Sequence, residues 1–157
     1  MSLAAPQPTV IDGAGFSIGI VAARYNPELV EALLARVLAG LRAAGVAARR
    51  IAVVRVPGSH EVPWAAQALA AGGRRDCIIG LGVLIGGDTS HHEMVGASVS
   101  HALQHVALAT RTPAINGVIV ANTRAQAEAR CRGRIDRGAE FAAAALEMAA
   151  LKRKLAR

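Results

Sequence analysis

The amino-acid sequence predicts an α/β protein, a three-layer α/β/α sandwich on a four-stranded parallel sheet. Three observations carry the prediction. Four short runs are continuously apolar rather than alternating, the pattern of strands covered on both faces. Helical periodicities lie between them, so right-handed βαβ crossovers connect the strands. The length, 157 residues, is that of one ordinary domain, enough to bury a core without disulfides or metal.

Residues 1–14 read as an N-terminal arm, because Pro6, Pro8, Gly13 and Gly15 discourage regular structure there; residues 15–157 read as the domain. The first strand runs from Phe16 to Ala22 and stops before Asn26. A helix follows, with Val30, Leu33, Leu34, Val37, Leu38 and Leu41 at helical spacing, and ends at Gly45. Arg50 to Val56 is the second strand, closed by Pro57-Gly58, with a helix over Val62 to Ala71. The third strand, Cys77 to Ile85, leads into a helix from His91 to Ala109. The fourth, Ala114 to Ala121, precedes a short helix over Arg124 to Arg130 and a last one from Ala139 to the C-terminus.

Composition excludes several classes. Hydrophobic residues make up 53% and charged ones 18%, which disfavours disorder. Only four side chains are aromatic, too few for a base-stacking platform. The net charge of +7 admits anionic ligands, but sixteen of the eighteen cations are scattered arginines rather than a basic block. Nucleic acid is therefore not expected as a partner. No apolar run reaches the roughly 20 residues of a membrane span, and the start lacks the pattern of a signal peptide, so no membrane association and a cytoplasmic location are expected. Cys77 and Cys131 form no CxxC pair and are read as packing residues.

In an open parallel sheet, ligands bind beyond the carboxyl ends of the strands, so the loops there carry the chemistry. Gly86-Gly87-Asp88-Thr89-Ser90-His91-His92-Glu93 joins a glycine turn to a helix start, with Ser90 and Glu93 spaced as a capping box. Free N–H groups and the macrodipole attract phosphate there; Thr89 adds a hydroxyl and Arg130 a guanidinium. A well-capped strand-to-helix turn alone accounts for the spacing, and the local pattern by itself favours that plainer reading. His91, in the first helical turn, faces the positive end of the dipole, which disfavours imidazolium and suits proton transfer; an exposed surface histidine is the alternative, and His92 makes the choice between neighbours ambiguous. His101 and His105 stand at i, i+4, but without a third ligand they read as solvated or subunit-contact residues. Glu61, in Pro57-Gly58-Ser59-His60-Glu61, offers a carboxylate to a polyhydroxylated ligand. Tyr25 either stacks on a flat heterocycle or staples the helix entry.

Taken together, Tyr25-Asn26, PGSHEVP, LGVLIGGDTSHHE, INGVIV, QAEAR and GAEFAAAALEMA, in this order from about Phe16 to Leu151, resemble the lumazine synthase family of riboflavin biosynthesis. The resemblance implies a flavodoxin-like fold and condensation of 5-amino-6-(D-ribitylamino)uracil with 3,4-dihydroxy-2-butanone 4-phosphate, with no cofactor and no metal. Carried over by position, it implies that Tyr25 stacks on the pyrimidine and that Ser59, His60 and Glu61 hold the ring and ribityl chain. Val83, Leu84 and Ile85 would contact the pyrimidine through backbone, with Asn116 reaching it too. Gly87, Asp88, Thr89 and Arg130 would bind phosphate, and His91 would transfer protons. It also implies a homo-oligomer, a pentamer with sites between subunits and in some members a 60-subunit shell, so that Asn116 and Arg130 come from a neighbouring chain.

The chain departs from the family pattern at several positions. Gly86 stands where Arg is usual, Asp88 where Glu or Ala is common, His92 where an aromatic is usual and Asn116 where Phe is frequent. The stretch from Cys131 to Gly138 is short, and its Arg134 and Arg137 stay outside the expected core site. Two other classes compete. A non-catalytic lumazine- or flavin-binding relative or shell protein would lack turnover, and a nucleic-acid binder would show steeply salt-dependent binding to random oligonucleotides.

Overall fold

The computed structural model describes residues 6–7 and 9–156; positions 1–5 and 8 of the predicted arm lie outside the described residues. Four parallel strands, β1 (Ile18–Ala23), β2 (Ile51–Val56), β3 (Cys77–Ile85) and β4 (Ala114–Ala121), form one sheet in the order β2-β1-β3-β4. Five helices connect and follow them: α1 (Pro27–Ala43), α2 (Val62–Ala71), α3 (His91–Thr110), α4 (Arg124–Cys131) and α5 (Arg137–Leu155). This is the predicted three-layer α/β sandwich.

Alternation along the strands divides the core in two. Ile18, Ile20, Ala22, Ile79, Leu81 and Val83 pack with α1, α4 and α5 on one face. Val21, Ala23, Ile78 and Val118 pack with Val62, Ala66 and Ala70 of α2 and Val95, Val99, Leu103 and Val106 of α3 on the other. The expectation of strands covered on both faces holds for β1 and most of β3. At the sheet edges it does not, for β2 and β4 leave Val53 and Val120 exposed. An apolar run reports average burial and carries no information on which strand lies outermost.

Boundaries differ from the sequence reading by two residues or fewer. Phe16 precedes β1 in a turn, its N–H on the Gly13 carbonyl, and lies beneath the Arg153 guanidinium. Arg50 belongs to a 3-10 turn before β2. The helix stop at Gly45 is as predicted: Val46 N–H reaches the Leu41 carbonyl and Gly45 N–H that of Arg42, closing the end of α1. α5 starts two residues early because the Asp136 carboxylate caps it, accepting from Ala139 N–H. Both cysteines are buried and free; burial pushes the Cys77 thiol up to about 12 and the Cys131 thiol up to about 11, consistent with packing roles.

At the amino ends of the strands, a polar clasp holds the end of α5. Arg153 donates through Nε and Nη2 to the two oxygens of Asp76, both at 2.7 Å, and through Nη2 to the Gly15 carbonyl. Asp76 also accepts from Ser17 N–H at 2.7 Å. Burial pushes the Asp76 carboxyl up, but the Arg153 and Ser17 bonds and the charge of Lys152 outweigh it, and the group sits below its ordinary value. A depressed carboxyl stabilises the fold above the unfolded aspartate value of about 3.9 and loses that contribution as pH falls through its own lower value. Asp76→Asn therefore lowers stability near neutrality by on the order of 1 kcal/mol, after discounting for the exposure of Arg153. Denaturant unfolding at pH 7 and pH 2.5 is expected to show the gap between variant and wild type closing in acid; an unchanged gap would sink this account.

Candidate active site

The loops after β1, β2 and β3 converge at the carboxyl ends of the strands. Arg24 N–H bonds to the carbonyls of Val56 and Pro57 at 3.0 and 3.3 Å, drawing the first two loops together. This sets Tyr25 beside Gly58. Asn26 takes the left-handed conformation (φ 54°, ψ 56°), which asparagine tolerates, and its Nδ2 donates to the Val83 carbonyl at 2.9 Å. The bond ties the start of α1 to the end of β3. Tyr25 is 72% exposed, so of its two readings the helix-entry staple fails and the ring is open to a ligand.

After β2, Ser59–Glu61 forms a 3-10 turn closed by Gly58 N–H donating to Glu61 Oε2 at 2.8 Å. One carboxylate oxygen is thus held by the turn itself, and the other, Oε1, stands 3.9 Å from His60 Nδ1. Ser59 is buried against β3, where a Cβ on Gly82 would collide with its Oγ; among the described residues that hydroxyl has no protein partner.

The expected capping box is not formed. Ser90 is the N-cap of α3, but its φ of −77° and ψ of 15° are not the extended conformation that lets a cap side chain fold back, and its hydroxyl makes no capping bond. Thr123, extended at φ −133° and ψ 155°, does cap α4 by accepting from Gln126 N–H. The positive end of α3 is left without a side-chain cap.

These segments enclose a cavity of about 510 Å³, lined by Tyr25, Ser59, His60, Glu61, Val83, Leu84, Ile85, Gly87, Thr89 and His91 together with Asn26, Gly58, His92 and Val95. All of the first ten are candidates read from the sequence. Three candidates do not line it. Asp88 is exposed on the loop beside it. Asn116 lies on the edge strand β4 in register with Gly80, below the carboxyl end, and its Oδ1 accepts from Val118 N–H. Arg130 lies on α4, on the opposite face of the sheet, where its Nη1 donates to the Gln126 carbonyl at 2.9 Å. Of the residues the sequence reading left out, Asn26 carried a signal, since an Asn before a helix-opening Pro is suited to the left-handed position. Gly58 and Val95 carried none.

A larger groove, about 830 Å³, lies at the amino ends of the strands among Leu108, Pro113, Ile115, Met148, Leu151 and Leu155. Its Lys152 ammonium is occupied by the Arg75 carbonyl and Thr112 Oγ1. Convergent polar groups belong to the smaller cavity. Among the described residues no cluster of three or more His, Cys, Asp or Glu side chains stands together, and no helix is long and apolar enough to cross a membrane.

Fold and cavity define a flavodoxin-like α/β protein with a candidate small-molecule cavity at the carboxyl edge of its sheet, combining an aromatic ring, a carboxylate turn and a glycine-rich helix start. A family model described as 6,7-dimethyl-8-ribityllumazine synthase matches residues 15–153. Proteins of that name are 41% identical in Thermobifida fusca, over 99% of this chain and 91% of the relative, and 40% identical in Ralstonia nicotianae, over 92% and 86%. A third, in Thermococcus onnurineus, is 40% identical over 91% of this chain and 93% of its own. The chain belongs to the 6,7-dimethyl-8-ribityllumazine synthase family.

Proposed function

We propose that this protein condenses 5-amino-6-(D-ribitylamino)uracil with 3,4-dihydroxy-2-butanone 4-phosphate to 6,7-dimethyl-8-ribityllumazine, the penultimate step of riboflavin biosynthesis. The observation that carries the reading is the gathering of ten family-matched positions around one cavity in a chain that belongs to the family. The 5-amino nitrogen attacks the ketone and water leaves to give an imine. A proton is lost beside it, phosphate departs, and the ribitylamino nitrogen closes the ring with loss of a second water. Joining two bound molecules gains mostly from positioning, and proton transfer adds about 10²- to 10⁴-fold.

In this reading Tyr25 stacks on the pyrimidine, Ser59, His60 and the Glu61 oxygen not held by the turn receive the ring and ribityl hydroxyls, and the Val83–Ile85 backbone borders the ring. Gly87, Asp88 and Thr89 take the phosphate at the uncapped start of α3, and His91 moves protons between the reacting carbons and nitrogens. Asn116 and Arg130 act from a neighbouring copy, for neither lines the cavity of its own chain. The working form is a homopentamer or a shell built from pentamers, located in the cytoplasm, with residues 15–157 as the synthase domain and 1–14 as an arm.

The experiment is direct. Purified protein mixed with both substrates is expected to develop the absorbance and fluorescence of the lumazine and to release one phosphate per product. Binding of the pyrimidine without turnover would instead identify a non-catalytic relative and overturn the reading.

A further inference from the structure

The reaction as set out leaves His92 without a task. His92 lines the same cavity as Thr89 and His91. Its Nε2 stands 3.3 Å from Asn122 Oδ1; an amide oxygen only accepts, so Nε2 carries a proton, and in the neutral ring Nδ1 holds the lone pair. That Nδ1 is buried and, among the described residues, has no hydrogen-bond partner. An unpaired buried acceptor is unfavourable, and a phenyl ring would fill the same space without one. Packing alone therefore argues against an imidazole at this position, and the bond to Asn122 is the contribution that a phenyl ring would lack.

The partner is firmly held. Asn122 N–H donates to Gln126 Oε1 at 2.9 Å, and Gln126 N–H is itself capped by Thr123 Oγ1, so residue 122 is fixed to the first turn of α4. On the other side, Gly86 N–H donates to the Ala121 carbonyl at 2.8 Å. A Cβ on Gly86 would stand 2.8 Å from the Asn122 carbonyl oxygen and 3.1 Å from His92 Nε2. Residue 86 has to be glycine for the imidazole and the amide to meet above it. Gly86, Asn122 and His92 thus form one unit, and the two ends of the segment that carries Gly87, Asp88 and Thr89 are tied to adjacent residues at the carboxyl end of β4, Ala121 and Asn122.

We propose that His92 is a positioning residue for the anion end of the site: its bond to Asn122 latches the loop between Gly86 and His92 so that Gly87 and Thr89 hold the geometry that receives a phosphate group. The inference rests on the synthase reading for the identity of the phosphate-bearing substrate. The loop geometry itself is tested with inorganic phosphate.

Calorimetry with inorganic phosphate and steady-state kinetics on the full-length chain read the latch separately from the chemistry. His92→Phe is expected to weaken phosphate binding and raise KM for the butanone phosphate by about 3- to 15-fold, the range of one net hydrogen bond, with kcat and pyrimidine affinity within about twofold. His92→Gln, whose amide nitrogen reaches the place of Nε2, recovers most of the loss. Asn122→Ala reproduces it, and the double variant His92→Phe/Asn122→Ala is no worse than either single one, as two ends of one bond require. Unchanged phosphate affinity in His92→Phe, a loss that Gln does not recover, or additive losses in the double variant would overturn the proposal. Should His92→Phe fail to fold, Asn122→Ala with the same measurement decides. A wild-type protein that makes no lumazine sinks the synthase reading and leaves the calorimetric test of the latch standing.

Discussion

Replacing His91 by alanine is expected to lower kcat by about 10- to 10³-fold while pyrimidine affinity hardly changes, the signature of a group needed for proton transfer rather than for holding the substrate. The placement of the side chain gives the reason. His91 opens α3 in the stretch where Ser90 fails to cap and lines the same cavity as Thr89 and Glu61. His92 is the internal control, because it lines the same cavity with its Nε2 already committed to Asn122. His92→Ala is expected to act on KM for the phosphate substrate and to leave most of kcat. Pre-steady-state mixing, in which the chemical step is observed directly, checks both. If His92→Ala slowed that step more than His91→Ala, the catalytic histidine would be the second of the pair.

The second large effect concerns Arg130. A charge-assisted hydrogen bond contributes about 1.5 to 3 kcal/mol, so Arg130→Ala should weaken butanone phosphate binding by roughly 10- to 150-fold. Lysine should restore only part of it, since a point charge does not reproduce the planar fork. Within its own chain Arg130 does not line the cavity and its Nη1 is engaged by the Gln126 carbonyl, which allows a sharper experiment than the single substitution. Co-expressed chains bearing Arg130→Ala and His91→Ala should assemble into mixed oligomers in which some sites join an intact His91 to an intact Arg130 of the adjacent copy. Recovery of activity above that of either variant alone is the expected result. No recovery, in mixed oligomers verified by mass, would assign phosphate binding to another cation, with Arg134 and Arg137 next in line.

Much of the fold was legible because burial writes itself into the sequence. The runs at 77–85 and 114–121 gave both strand boundaries without error, and the spacing of leucines and valines before Gly45 located α1. Legibility ended where a side chain's reach depends on one backbone angle. Ser90 and Glu93 have the spacing of a capping box, yet ψ at Ser90 turns the hydroxyl away; Thr123, with the same chemistry and an extended backbone, caps as its residue type predicts. The sequence offers Glu61 as a carboxylate for a polyhydroxylated ligand, but its commitment of one oxygen to Gly58 N–H follows from the tightness of the 3-10 turn. Which face of the sheet a helix covers was also invisible, since α3 and α4 both follow strands and pack on opposite sides. That side choice separates Arg130 from the cavity.

The clasp around Asp76 bears on how the chain is made. Arg153 reaches back 77 residues to Asp76 and 138 residues to Gly15, so these bonds join the beginning, middle and end of the polypeptide. Contacts of such long sequence separation close slowly, because the whole intervening loop must be ordered first. During synthesis the amino-terminal strands emerge first and have time to collapse, but Phe16 has no guanidinium above it and Asp76 has the Ser17 N–H but not Arg153 until α5 has left the ribosome. A nascent chain stalled short of residue 153 therefore displays the amino edge of its sheet open, with a carboxylate that lacks its guanidinium and an uncovered aromatic ring marking it as unfinished.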